Sequence, residues 1–110
     1  MLPLALPRTY EANAWSHYRA GKWSESFSEC LRWFRDEPFS SGPLGLGSFI
    51  AIRAFNDYEV AENLCRRDLI GDPSDRLLRN NLVVALIEKG DLEEANKQYR
   101  NIDKGQTDFY

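Results

Sequence analysis

The sequence predicts an all-α fold built from a recurring pair of helices, and three observations carry that expectation. Apolar residues recur three and four apart along most of the chain, as the packed face of an α-helix demands. No run of β-branched residues alternates with polar ones between turn pairs, so no strand signal competes. The chain is also similar to itself. Gly21-Lys-Trp-Ser-Glu-Ser26, Asn56-Asp-Tyr-Glu-Val-Ala61 and Gly90-Asp-Leu-Glu-Glu-Ala95 superpose at offsets of 35 and then 34 residues. These offsets align Trp23, Tyr58 and Leu92 as large apolar residues, and Ser26, Ala61 and Ala95 as small ones. Cys30, Cys65 and Tyr99 share the column four residues on, and Pro38 aligns with Pro73. The three columns before the prolines are the expected packing positions between helices.

Six helices are expected, near 8–20, 23–36, 44–55, 57–70, 74–89 and 91–103. Each odd-numbered stretch closes at Gly21, Asn56 or Gly90, residue types that tolerate the left-handed conformation just past a helix end. The second stretch carries the stripe Trp23, Phe27, Cys30, Leu31 and Phe34. Gly42-Pro-Leu-Gly45-Leu-Gly47 follows no strand and lacks the Lys-Ser/Thr of a phosphate loop, so it reads as a connector. The fourth stripe is Tyr58, Ala61, Cys65 and Leu69 or Leu64. Asp72-Pro73 reads as an N-cap with proline at the first helical position, where its missing N–H costs nothing. Asp91 with Glu94 resembles a capping box, and Leu92, Ala95, Tyr99 and Ile102 make the last stripe.

Composition bounds the function. A chain of 110 residues, 43% apolar and 13% aromatic, makes one domain with a real core and is no disordered tail. A net charge of −3 argues against a general nucleic-acid binder, which needs a basic stripe to displace counterions. The longest apolar run, Leu82 to Ile87, is far too short to span a membrane. The opening residues lack the cationic start of a secretory signal.

A helix–turn–helix unit of about 34 residues, with a small residue four before an aromatic and a closing proline, resembles the tetratricopeptide repeat (TPR). The likeness covers residues 8–103 as three degenerate repeats, near 8–40, 42–74 and 75–103. The third unit matches in Leu82, Leu86, Gly90, Ala95 and Tyr99 without the closing proline; the second in Tyr58, Ala61, Leu69 and Pro73; the first in Ala14, Gly21 and Pro38. Ser48 and Phe49 depart from the family pattern, which leaves the register of 44–55 open by one position. The loop Phe39-Ser-Ser-Gly-Pro43 is expected to absorb the extra residue of the longer spacing.

The resemblance implies a right-handed α-solenoid whose concave face holds a peptide or a partner helix. Its groove positions fall on Glu11, Trp15, Tyr18 and Arg19, on Leu46, Ile50, Arg53 and Ala54, and on Leu77, Asn80, Asn81, Val84, Ile87 and Glu88. Of these, Trp15, Tyr18, Arg19, Ile50, Arg53, Asn80, Val84 and Ile87 are the candidate binding set, although inter-unit packing also takes large apolar residues. The family's carboxylate clamp uses Lys, Asn and Arg where this chain has Glu11, Trp15, Gly47, Leu77 and Asn81. Nothing there supplies the cations, so a chaperone-tail clamp is not expected.

No catalytic, metal or cofactor site is expected. His17 is the lone histidine, without ligands at metal spacing, and reads as a half-buried helix residue. Cys30 and Cys65 occupy equivalent places on stacked helices, about 8–10 Å apart and beyond disulfide reach, so free buried thiols in the reducing cytoplasm are expected. Residues 1–7 read as a leader or the remnant of a preceding helix, and 104–110 as a tail too short for another. Without a polar capping helix the last unit exposes its stacking face, so the chain reads as a fragment of a longer array that self-associates when isolated. The expected function is a non-catalytic protein-interaction module, with a structural spacer or self-association domain as the alternative.

Overall fold

The computed structural model describes residues 7–40 and 42–107, which form six helices and no strand. These are α1 (Pro7–Arg19), α2 (Trp23–Asp36), α3 (Gly42–Arg53), α4 (Tyr58–Gly71), α5 (Arg76–Lys89) and α6 (Leu92–Thr107). Each helix packs on the next, and α3 also packs on α5. The first helices of successive units therefore lie side by side, in a body 50 × 30 × 21 Å. The leader expected over 1–7 lies, but for Pro7, outside the described residues, as do 108–110 of the tail.

The turns follow the sequence closely. Gly21, Asn56 and Gly90 have φ of 76°, 52° and 88°, and they are the only described residues with positive φ. At each, the chain reverses while the helix end is closed by a following N–H: Lys22 to His17 O, Asp57 to Ala51 O, Asp91 to Leu86 O. Asp57 caps α4 by accepting from the Val60 N–H at 3.2 Å, and Asp91 accepts from the Glu94 N–H at 3.3 Å. Five residues separate α2 from α3 and four separate α4 from α5, which accounts for the 35-residue first period.

Small residues sit where helices cross. Ser26 and Ala61 have no exposed surface and Ala95 is buried. The serine satisfies its hydroxyl by donating to the Ala14 carbonyl at 2.7 Å, so it fills an alanine's place without an orphaned polar atom. Three apolar clusters form the core: one around Leu44, Leu78, Leu82 and Leu86, one around Ala14, Cys30 and Ile50, one around Ala51, Ala61 and Ala85. Phe27 packs against all three. Cys30 and Cys65 are free and buried, and burial pushes their thiols up to about 12 and about 11. His17 is half-buried on α1.

Several expectations are corrected. The glycine-rich stretch is no connector: it is the first half of α3, which begins at Gly42 with Pro43 in its opening turn. Burial of Leu44, Leu46, Ser48, Ile50, Ala51 and Ile52 around nearly the whole helix outweighs its poor intrinsic propensity. Asp72 ends α4, and the chain turns through Pro73 and Ser74 before Asp75 caps α5, accepting from the Leu78 N–H at 3.1 Å. On α2 Leu31 is exposed and Trp33 turns inward, placing the stripe one helical position away. Leu92 and Tyr99 are not buried packing residues; they stand exposed on the face beyond α5, with no further helix among the described residues to cover them. Helix α6 also runs on to Thr107, since Lys104 and Gln106 are good helix formers and one Gly105 costs only about 1 kcal/mol.

Candidate functional site

Helices α1, α3 and α5 form one wall, and aromatic side chains line it. On α1, Glu11, Trp15 and Tyr18 fall four and three apart, hence on one face. The Trp15 and Tyr18 rings meet edge-on at 5.3 Å, Tyr18 meets Trp23 at 5.1 Å, and Tyr18 lies 6.2 Å from Phe49 of α3. The Arg53 guanidinium lies over the Phe49 ring, 5.7 Å from its centroid. Phe49 is the residue that sequence reasoning missed. The departure at Ser48-Phe49 was its only signal: Ser48 is fully buried, and half-buried Phe49 lines the wall.

A cavity of about 430 Å³ opens between these helices. Trp15, Trp33, Leu46, Phe49 and Leu78 supply its apolar wall, while Glu11 and Asp75 are the ionisable groups on it. Trp33 is held by its indole N–H, which donates to Glu37 Oε1 at 3.2 Å. Asn81 is spent: its amide N–H groups donate to Ser48 Oγ at 3.1 Å and to the Gly45 carbonyl at 3.4 Å, tying α5 to α3. A second cavity of about 220 Å³ lies at the other end of α1 and α3, among Tyr18, Trp23, Ile50, Arg53 and Ala54.

Of the candidate set, Trp15, Tyr18, Ile50 and Arg53 line these cavities, with Trp15 38% exposed. Ile50 has no exposed surface and belongs to the core beneath the second cavity, because α3 is buried on most sides. Arg19, Asn80 and Val84 are exposed but line neither cavity. Ile87 is exposed on the outer face, where it lines a shallow 260 Å³ hollow with Val83, Leu92 and Tyr99.

Gly42 shapes the larger cavity. A Cβ at this position would stand 2.6 Å from Trp33 Cη2, well inside contact distance. Gly42→Ala is expected to cost about 1–3 kcal/mol by displacing the indole into the cavity, measured by urea unfolding. Gly47→Ala is the control: its Cβ meets nothing closer than 3.6 Å, and relief of glycine's helix penalty offsets the crowding.

Asp75 has a second neighbour. Asp68, near the end of α4, has one carboxyl oxygen buried with no donor among the described residues. Burial, then the adjoining Asp75 carboxyl, and then the charge of Asp72 raise its pKa from 3.8 to about 6. Folded protein thus holds a proton that unfolded chain releases between those values, so stability falls as pH rises through that window. Asp68→Asn is expected to raise the melting temperature at pH 7.5 and to make no difference below pH 4. At this partly exposed site the gain is about 1 kcal/mol at most.

No known family model matches the chain, and no curated protein matches it by sequence. Solved structures do match by shape. The first TPR of Spaghetti (RPAP3) bound to the HSP90 peptide SRMEEVD superposes with a TM-score of 0.81 at 18% identity, covering 87% of this chain and 75% of that one. The chain has the tetratricopeptide-repeat fold. The second TPR of Spaghetti, with the same peptide, gives 0.81 at 15% identity over 89% of this chain and 90% of that one. The second TPR domain of human RPAP3 with the HSP70 peptide SGPTIEEVD gives 0.80 at 16% over 88% and 83%. The six described helices of this chain form an all-α helical-repeat solenoid. No helix among the described residues is long and apolar enough to cross a membrane.

Proposed function

We propose that the chain is a non-catalytic interaction module that holds a peptide or a partner helix in the groove of its TPR solenoid. The observation that carries this reading is the aromatic-lined cavity between α1, α3 and α5, in a fold whose TPR neighbours were solved with peptides bound. Trp15 and Arg53 are exposed members of residue types that dominate binding hot spots. Trp15→Ala with Arg53→Ala is expected to lower affinity for a captured partner by tenfold or more while far-UV circular dichroism stays unchanged. Unchanged capture by the doubly substituted chain would count against the groove. Two buried free thiols suit a reducing compartment such as the cytoplasm.

A second reading is self-association, and the exposed Ile87, Leu92 and Tyr99 around the outer hollow favour it. Tyr99→Glu then lowers the mass seen by light scattering at high concentration. Ile102 is buried, so a charge there tests folding instead.

A further inference from the structure

The TPR neighbours were solved with acidic peptides, SRMEEVD and SGPTIEEVD. The ionisable groups on the groove of this chain, Glu11 and Asp75, carry the same sign of charge as those peptides. We infer that its occupant is a protein segment presenting a lysine or arginine next to a large apolar side chain, rather than an acidic tail. This rests on the groove reading above and gives it a ligand class.

The argument is one of complementarity. The 430 Å³ cavity is walled by two tryptophans, a phenylalanine and leucines, with room for a bulky aliphatic or aromatic side chain. The ionisable groups on its wall are Glu11 and Asp75, and no cation is among the lining residues. Two described arginines near this wall are already engaged. Arg79 donates to Gln98 Oε1 and to the Pro73 carbonyl, while Arg53 covers Phe49 along the wall towards the second cavity.

Four of the five places that would make a carboxylate clamp lie on this cavity, occupied by Glu11, Trp15, Leu77 and Asn81. The fifth, Gly47, faces Leu64, Cys30 and Phe27 in the core. With the Asn81 amide N–H groups already donated to α3, a carboxylate entering here would lose its water shell and meet two like charges. A cation loses less, because its ammonium or guanidinium meets carboxylates at the rim while its apolar neighbour fills the cavity. Exposed Glu11 and half-buried Asp75 are reachable for that contact.

Selection of a random dodecapeptide display library on the purified chain tests this directly. Glu11→Gln with Asp75→Asn serves as the counter-target, since asparagine keeps the α5 cap without the charge. The expected result is enrichment of sequences with Lys or Arg within two residues of Trp, Phe or Leu. Their synthetic versions should bind the doubly substituted chain at least tenfold more weakly and lose affinity with added salt. Enrichment of acidic sequences, or binding of SRMEEVD tighter than the selected basic peptides, overturns the inference but leaves the groove reading standing. Basic sequences that bind the doubly substituted chain equally well also overturn it. No enrichment on either target removes the groove reading and this inference together.

Discussion

Ala61→Leu is expected to be strongly destabilising and to lower the melting temperature by at least about 12 °C. Ala61 has no exposed surface and shares its cluster with Ala51 of α3 and Ala85 of α5, so three helices approach closely at one point. Leucine adds three carbon atoms where neighbouring backbones leave no space. Overpacking of a tight core costs about 1–3 kcal/mol and sometimes more. Here the strain acts on α3, α4 and α5 together, so about 3 kcal/mol or more is expected. That is a large share of the 5–15 kcal/mol typical of a small domain. Ala61→Gly separates crowding from helix propensity and should cost only about 1 kcal/mol from propensity, plus the lost methyl. Urea unfolding followed by circular dichroism compares the two. A leucine variant no less stable than the glycine variant would show that the helices do not cross tightly at Ala61.

Leu82→Ala is expected to cost about 3–4 kcal/mol, the usual range for a leucine removed from a packed core. Leu82 is 1% exposed and lies at the centre of the largest cluster, with Leu44, Leu78 and Leu86 around it and Ala95 of α6 alongside. The cavity left behind cannot collapse readily, because α5 is gripped by α3, α4 and α6 at once. At about 4–8 °C per kcal/mol for a chain of this size, the melting temperature should drop by at least about 12 °C. Leu77→Ala, five residues earlier on the same helix but 60% exposed, should move it by no more than a few degrees. Equal effects at the two positions would mean that α5 is rotated from the orientation described.

The fold was legible because its punctuation is local. A left-handed residue after a helix needs Gly or Asn, and Gly21, Asn56 and Gly90 stand at the three such places. Crossings need small residues, and Ser26, Ala61 and Ala95 mark them with one period. What stayed hidden was set by packing at a distance. Helix α3 has few residues of good propensity and forms because it is surrounded, a fact no window of its own sequence contains. Its start two residues early, and Phe49 in the groove, follow from that burial. Leu31 and Trp33 are both apolar, and the one that turns inward is Trp33, whose indole packs against Gly42 from a different helix. Asp72 and Asp75 both have capping chemistry; the turn through Pro73 gives the cap to Asp75. At the site, Trp15, Tyr18 and Arg53 were visible from residue type and position, whereas Ile50 and Ile87 looked alike as isolated aliphatics. Their fates diverged because one faces a neighbouring unit and the other the uncovered end.

Phe27 touches all three apolar clusters among the described residues. Linear arrays generally melt piecemeal from their ends, since each unit leans only on adjacent ones. A side chain shared by all the clusters works against that independence: loosening the amino-terminal hairpin withdraws a ring from the rest, so thermal disruption of one part propagates to the whole as a single event.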